Sequence, residues 1–443
     1  MRFFYFFSLM NTQELYQLYL QYPCVTTDTR KPVRDSIFFA LRGENYDGNK
    51  FAAEAIDKGA AYVVVDDQTI TGDHRCILVE DTLTSLQELA TYHRSKLRAG
   101  IIAVTGSNGK TTTKELIYRI LSQKYHVFAT PANLNNHIGV PLTILGIKQE
   151  HQLGVVEMGA SHAGEIMKLC HIAQPAYGLI TNIGRAHLEG FGSLEGVRIT
   201  KGELYEYLDE THGCIFVRCD NEILTEMIIK FSGGIVKYGD CDESICRAEI
   251  LETYPSLVLQ VYIGKSTSIS VQIRSHLVGD YNMENILAAV SIGSYFGINT
   301  EKIIQATEGY IPELFRSQLK KTKSNNIILD AYNANPTSME AALKNFYRHP
   351  DRNKVLILGE MKELGDSSSE EHAKLTRLVR DMGFKDVFLI GEAFYGIDKP
   401  KRWNCLRNVE EMVSLLKSQP VKNTTILLKG SRAVQLEKLL PYL

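Results

Sequence analysis

Apolar residues along this chain fall into two alternating rhythms. Short continuous runs at 36–41, 61–65, 101–104, 153–157 and 177–181 have the β-branched content of buried strands. Between them, stretches such as 51–58 and 112–121 carry apolar residues at helical spacing. Strands that alternate with helices in this way predict a parallel, doubly wound sheet. The pattern changes at 248–274, where runs such as 257–261 read as a β meander, and a helix is predicted over 284–296. From about Pro312 the first rhythm returns, with strands at 326–330, 354–358, 386–390 and 425–429. The chain therefore reads as an α/β protein of three domains, 10–99, 100–311 and 312–443. No linker is rich in Pro, Gly or Ser, and no internal repeat is visible.

The most telling join of strand and helix is Thr105-Gly106-Ser107-Asn108-Gly109-Lys110-Thr111-Thr112-Thr113. A glycine turn between a buried strand and a helix leaves free backbone N–H groups at a helix N-terminus, which is where polyphosphate binds. Lys110 adds a point charge for the outer phosphates, and the Thr111 hydroxyl suits a magnesium ion. The longer common pattern has a glycine where Val104 stands, so this loop is a shortened form. ATP binding is the expectation.

Composition narrows the partners. A formal charge of −2 over 443 residues gives no general attraction to nucleic acid, so a phosphate site must rely on local charge and backbone dipoles. No apolar stretch reaches the roughly twenty residues of a membrane span. The aromatic start, residues 1–9, resembles a signal peptide only superficially, and Met10 is the expected native start. Eight cysteines without a Cys-x-x-Cys pair read as scattered reduced thiols of a cytoplasmic protein, although Cys214/Cys219 and Cys241/Cys246 allow a zinc site to be imagined.

In an open parallel sheet, ligands bind beyond the carboxyl ends of the strands. Glu157 and Thr181-Asn182 stand at such ends and should share a crevice with the loop. Glu157 can serve as a magnesium ligand or as a helix-start carboxylate. His187, in the run 181–189, is either a ligand or an ordinary loop histidine, and spacing alone leaves Lys201 a solvated helix lysine. In the third region, Asp330 can meet a ribose and Tyr332 a base, while Thr337 or Ser338 can cap a helix after the Asn-Pro turn. Two sheets that present polar strand ends predict a cleft between domains.

The loop, Glu157 and the 181–189 run together resemble the Mur ligase family, ATP-dependent amide ligases of cell-wall synthesis related to folylpolyglutamate synthase. The similarity runs from about Thr27 to the end. It implies a nucleotide-sugar domain, an ATPase domain and a Rossmann-like carboxyl-terminal domain. Residues 131–139, 330–339 and 358–365 are similar to the member that joins D-alanyl-D-alanine to UDP-N-acetylmuramoyl-tripeptide. The Asp-Asn-Pro-Arg motif of the preceding ligase is absent from the sequence.

By this resemblance Gly106, Asn108, Gly109, Lys110, Thr111 and Thr112 hold the ATP phosphates. Thr111 and Glu157 bind one magnesium, and His187 and Lys201 a second. Lys201 would then be carbamylated, which turns a cation into an anion. Lys110, Lys201 and His187 form the implied catalytic set. Asn282 and Asn285 match adenine-side asparagines, with Tyr281 where the family usually has histidine. Arg316 matches a residue near the nucleotide phosphates, and Asp330 and Tyr332 match the ribose and base side.

Thr27, Asp28, Thr29 and Arg30, extended by Asn45 and Asp47, resemble the motif for the uridine diphosphate end. Asn135, Asn136, His137, Asn333 and Asn335 are implied along the muramoyl-peptide path. Glu363 and His372 stand either near the incoming dipeptide or in a helix cap. A monomer is expected. The competing reading is a switch or motor ATPase, against which the chain shows no clear second-strand aspartate. A sister amide ligase with another amino-acid substrate is the nearer alternative.

Overall fold

The computed structural model describes residues 9–70, 73–264, 269–313 and 315–443. The aromatic run at 1–8, on which the choice of native start turns, lies outside them. The first unit holds four parallel strands in the order Val25–Thr26, Ile37–Phe39, Tyr62–Val65, Cys76–Leu78. The strand expected at 36–41 is shorter because the chain turns into a small hairpin, Arg42–Gly43 against Tyr46–Asp47. The Gly48 N–H closes that turn on the Leu41 carbonyl at 2.8 Å.

The central sheet has six parallel strands, in the order Gly234–Tyr238, Cys214–Arg218, Tyr177–Ile180, Gly100–Thr105, Leu153–Glu157, Val127–Ala129. The three expected strands form its middle. Gly100–Thr105 lies between Tyr177–Ile180 and Leu153–Glu157, so the connections leave it toward both edges and open a crevice at its carboxyl end. The meander is a three-stranded antiparallel sheet, Cys246–Glu252, Val258–Ile263 and Ile269–Arg274. The helix after it, Asn282–Tyr295, begins two residues earlier than the apolar spacing predicts and packs on Lys110–Leu121.

The third sheet runs Gln318–Lys321, Asn325–Asp330, Thr424–Lys429, Lys354–Gly359, Asp386–Ile390, Asn404–Leu406, with only the first strand antiparallel. Its four inner strands are those expected from the sequence. The two edge strands are short, and the predicted pattern lacks them.

The seams between the units differ in kind. One apolar core is continuous from the first unit (Leu15, Phe39, Leu86) into the central one (Ile101, Ile144, Ile166). Polar ties reinforce it. The Tyr19 hydroxyl donates to the Leu145 carbonyl at 2.5 Å, and His93 Nε2 bonds the Ile147 carbonyl at 2.8 Å. Arg94 donates to the carbonyls of Ala173 at 2.7 Å and Gln174 at 3.1 Å, so a cation caps the negative end of the Glu165–Ala173 helix.

The third unit has its own cores on both faces of its sheet, and among the described residues only Leu188 and Val278 enter them from earlier in the chain. Elsewhere that seam is largely polar. Asn335 Nδ2 donates to Asn108 Oδ1 at 2.8 Å, and the Arg185 N–H to Thr337 Oγ1 at 2.9 Å. Arg185 also pairs with Glu371 at 3.3 Å, and Arg348 with Asp280.

The cysteine expectation needs a correction. Cys219 and Cys241 form a disulfide, and the other six remain free thiols. The two bonded residues follow adjacent parallel strands, and the Cys219 N–H meets the Tyr238 carbonyl at 2.8 Å. Their juxtaposition comes from strand pairing, which residue spacing does not reveal.

Burial lowers the pKa of His93, His349 and His372 below the ordinary 6.5. The unfolded chain therefore takes up protons at these sites before the folded one does. Stability contributed by the three histidines is complete above pH 6.5 and declines as pH falls through their lower folded values. Melting temperatures measured from pH 7.5 down to pH 5 should fall by a few degrees; a flat profile would count against buried neutral histidines.

Candidate active site

The site is built on the loop after Gly100–Thr105. Gly106 and Gly109 adopt φ of 134° and 80°, the left-handed region where a Cβ is strained. Both are also crowded: a Cβ on Gly106 would meet Thr181 Oγ1 at 2.1 Å, and one on Gly109 would meet Asn285 Oδ1 at 2.1 Å. The loop is fastened to the neighbouring strand end. The Ser107 and Asn108 N–H groups donate to the Asn182 carbonyl and Oδ1 at 2.9 and 3.0 Å, and Thr181 Oγ1 donates to the Asn108 carbonyl at 2.6 Å. Because Gly109 ends the turn, the helix starts at Lys110, two residues before the apolar spacing begins. Lys110 folds its ammonium onto the Gly106 carbonyl at 2.6 Å, and burial lowers its pKa.

Glu157 ends the next strand and is 1% exposed. Its Oε1 accepts from Thr111 Oγ1 at 3.1 Å and from Asn135 Nδ2 at 2.7 Å. Its Oε2 is buried without a hydrogen-bond partner among the described residues. A buried carboxylate oxygen left unpaired is costly unless a cation meets it. Lys114, fully buried one turn beyond Lys110, donates to the Thr130 and Ala132 carbonyls at 2.7 and 3.3 Å. Thr130 Oγ1 in turn accepts the Glu157 N–H at 2.9 Å, so Lys114 braces the segment that carries Asn135.

His187, at the start of a short helix with φ of 51°, places Nδ1 2.8 Å from Glu363 of the third unit. Lys201 is not the solvated lysine that spacing suggests. It is 1% exposed, with Nζ 3.3 Å from the Ala160 carbonyl and 5.1 Å from the Phe191 ring centroid. Burial first, then the Lys110 charge, pull its pKa down to about 7. A buried lysine of that kind has a reactive neutral amine at physiological pH.

Asn282 and Asn285 are buried under the loop. Thr113 Oγ1 donates to Asn285 Oδ1 at 3.0 Å, Asn285 Nδ2 to Asn282 Oδ1 at 2.9 Å, and Asn282 Nδ2 to the Val278 carbonyl at 2.8 Å. Arg316 lies 3.6 Å from the Tyr332 ring centroid, so its guanidinium covers one ring face. Asp330 pairs with Lys429 at 2.5 Å. The sequence reading missed Lys429, whose only signal is its place at the end of a predicted strand. Pairing of Asn325–Asp330 with Thr424–Lys429 sets the two residues side by side.

The helix at Pro336–Tyr347 is capped by Asn335, not by Thr337 or Ser338. Asn335 Oδ1 accepts the Ser338 N–H at 2.9 Å because Pro336 takes the first helical position. Thr337 instead accepts from Arg185 across the seam.

One cleft of about 1520 Å³ joins most of these groups. Its walls include the phosphate loop, Glu157, His187, Asn282, Asn285, Arg316, Asp330 and Tyr332. Asn135, Asn136, His137, Asn333 and Asn335 line it as well. A wall not read from the sequence comes from the Thr82–Lys96 helix, through Thr84, Gln87, Glu88 and Tyr92. Thr27, Asp28, Thr29, Arg30, Asn45 and Asp47 are not among its lining residues. Asp28 and Arg30 form a two-pronged pair at 2.8 and 2.9 Å, with the Arg30 side chain 88% exposed. The pair lies within electrostatic reach of Tyr46, which stacks on Phe51.

A phosphate loop on a parallel sheet, with a third unit across a cleft from it, defines a three-domain ligase fold. Family models agree along the chain: "Mur ligase family, catalytic domain" matches residues 21–94, "Mur ligase middle domain" 104–293, and "Mur ligase, glutamate ligase domain" 315–432. The chain belongs to the Mur ligase family. It is 34% identical to the UDP-N-acetylmuramoyl-tripeptide–D-alanyl-D-alanine ligase of Bacillus subtilis, over 94% of this chain and 92% of that one. Among solved structures it is similar to MurF from Acinetobacter baumannii, with a TM-score of 0.84 and 30% identity over 98% of each chain. MurF ligase from Thermotoga maritima in complex with ADP superposes with a TM-score of 0.82 at 26% identity, over 96% of this chain and 97% of that one. Among the described residues no helix is long and apolar enough to cross a membrane.

Proposed function

We propose that this chain joins D-alanyl-D-alanine to UDP-N-acetylmuramoyl-tripeptide, with release of ADP and phosphate, in the making of peptidoglycan precursor. Similarity over nearly the whole chain to ligases of that name supports the reading. The structural observation that carries it is the buried, partnerless Glu157 Oε2 beside the phosphate loop, with His187 on the same cleft and the low-pKa Lys201 behind it at the Ala160 carbonyl, within electrostatic reach of Lys110.

A carboxylate is a poor acylating group, so ATP first converts it to an acyl phosphate, which the dipeptide amine then attacks. The loop N–H groups and Lys110 hold the phosphates where the substrate carboxylate meets the γ-phosphoryl group. Glu157 and Thr111 would hold one magnesium ion, and His187 with a carbamylated Lys201 would hold a second. Among the described residues no cluster of three or more His, Cys, Asp or Glu forms a metal cage. Magnesium suits such a sparse set, because phosphate and water supply its remaining oxygens. When bound, it offsets the charge of the two anions brought together. Asp330, held by Lys429, faces the ribose, and the uridine diphosphate end rests on the Thr27–Arg30 surface.

The test is a coupled assay of ADP release. Release should require both UDP-muramoyl-tripeptide and D-alanyl-D-alanine; release indifferent to both would sink the ligase reading. An acyl phosphate must also be kept from water. The third unit, joined by its largely polar seam, is proposed to close for that purpose. Small-angle scattering should show a smaller radius of gyration when ATP and the tripeptide substrate are added together, and no compaction would count against closure.

A further inference from the structure

We propose that Glu363 is a catalytic residue that receives the charged amino group of the incoming dipeptide and aims its nitrogen at the activated carbonyl. The inference rests on the ligase reading above.

Glu363 belongs to the third unit yet ends at the reacting centre. Its carboxylate lies 2.8 Å from His187 Nδ1, and its backbone carbonyl accepts the Glu189 N–H at 3.2 Å. The residue holds φ of 63°, a conformation that a non-glycine residue keeps only when its surroundings impose it. Those surroundings are visible. His372, fully buried, accepts the Met361 N–H at Nε2 (2.9 Å) and bonds the Ser368 carbonyl through Nδ1 (2.7 Å). Burial keeps that imidazole neutral, as acceptance at Nε2 requires. His372 thus braces the segment that delivers Glu363 and does not itself line the cleft.

Each carboxylate in the cleft has at least one partner, Glu363 in His187. Glu157 holds Thr111 and Asn135, Glu165 takes the N–H groups of Ser161 and His162, Glu284 pairs with Arg218, and Asp330 pairs with Lys429. Glu88, on the first-unit wall, accepts the Thr12 hydroxyl. Glu363 also lines the cleft and keeps 54% of its side chain exposed beside its contact with His187.

A peptide amine reaches this centre as an ammonium ion. It must shed one proton to solvent before its nitrogen forms the C–N bond, and a second as the C–O bond to phosphate breaks and phosphate leaves with the electron pair. A fixed carboxylate raises the local concentration of the ammonium and sets its direction of approach.

The experiment compares two nucleophiles on Glu363→Gln. D-alanyl-D-alanine arrives charged, whereas hydroxylamine is small and uncharged at neutral pH and traps the acyl phosphate as a hydroxamate. Losing one charge-assisted contact should lower kcat/KM for the dipeptide about 10–100-fold, through a raised KM. KM for ATP and the rate of hydroxamate formation should stay within about twofold of the unchanged enzyme. Glu363→Asp should recover part of the dipeptide reaction. If dipeptide and hydroxylamine reactions fall together, Glu363 only latches His187 to the third unit, and the proposal is overturned. Full dipeptide activity in Glu363→Gln overturns it as well. If the unchanged enzyme makes neither hydroxamate nor dipeptide product, the ligase reading itself fails.

Discussion

Lys201→Ala lowers ligation by about 10²–10³-fold, and short carboxylates such as acetate restore part of it. This is the largest effect expected from any single side chain at the site. The reason begins with burial: Lys201 is 1% exposed and feels the Lys110 charge, which brings its pKa to about 7. At neutral pH much of it is therefore free amine. The nitrogen can add to carbon dioxide, lose a proton and become a carbamate anion. An anion at this place complements magnesium, whereas an ammonium would repel it. Lys201→Arg should be as inactive as alanine, because a guanidinium stays charged and forms no carbamate. Acetate can occupy the space that alanine leaves and supply the missing charge. Steady-state rates with and without acetate check the prediction, and carbon-13 NMR of protein equilibrated with labelled carbon dioxide looks for the carbamate directly. Normal activity in Lys201→Ala would remove the carbamate from the mechanism.

Gly109→Ala weakens ADP binding by at least about tenfold. The residue has φ of 80°, where a β-carbon costs about 1–2 kcal/mol. Its new methyl would also press on Asn285 Oδ1 at 2.1 Å. Overpacking of that kind costs about 1–3 kcal/mol more. Asn285 cannot yield freely, since it holds the Thr113 hydroxyl and Asn282. The loop must then shift, and its N–H groups lose their aim at phosphate. Calorimetric titration with ADP reads the effect. An affinity unchanged by the substitution would mean that the loop re-forms around bound nucleotide and that its shape in the free protein does not matter.

What the sequence reveals and what it hides have a common physical basis. The phosphate loop is legible because its need is a backbone need: glycines at the turn, a buried strand before and a helix after. Glu157 and Thr181 are legible because strand ends in an open parallel sheet face one crevice. Lys201 is different. Its Nζ is taken up by the Ala160 carbonyl, a contact between distant segments that local periodicity does not encode, and only the family resemblance marks it. Lys429 and the Cys219–Cys241 bond escape for the same reason, since each depends on which strands are neighbours. The Asn335 cap is a local matter, yet two plausible capping residues stand beside it, and Pro336 decides between them by fixing the first helical position. The first-unit residues Thr27–Arg30 are recognisable by motif, but their distance along the molecule from the ATP cleft is not.

The contrast between the two seams bears on how compounds would dwell on this protein. A molecule seated across the apolar seam, against the Thr82–Lys96 helix and the central unit, meets a surface already assembled and can enter and leave at a rate set by diffusion and contact strength. A molecule that touches both Asn108 and Asn335, or both His187 and Glu363, must part contacts that already join the two units, and under the proposed closure it is enclosed when they re-form. Its release must wait for several hydrogen bonds and ion pairs to part together. Residence time, more than equilibrium affinity, would then separate the two kinds of binder. Progress curves bending over minutes would mark the bridging kind, and curves straight from the start the other.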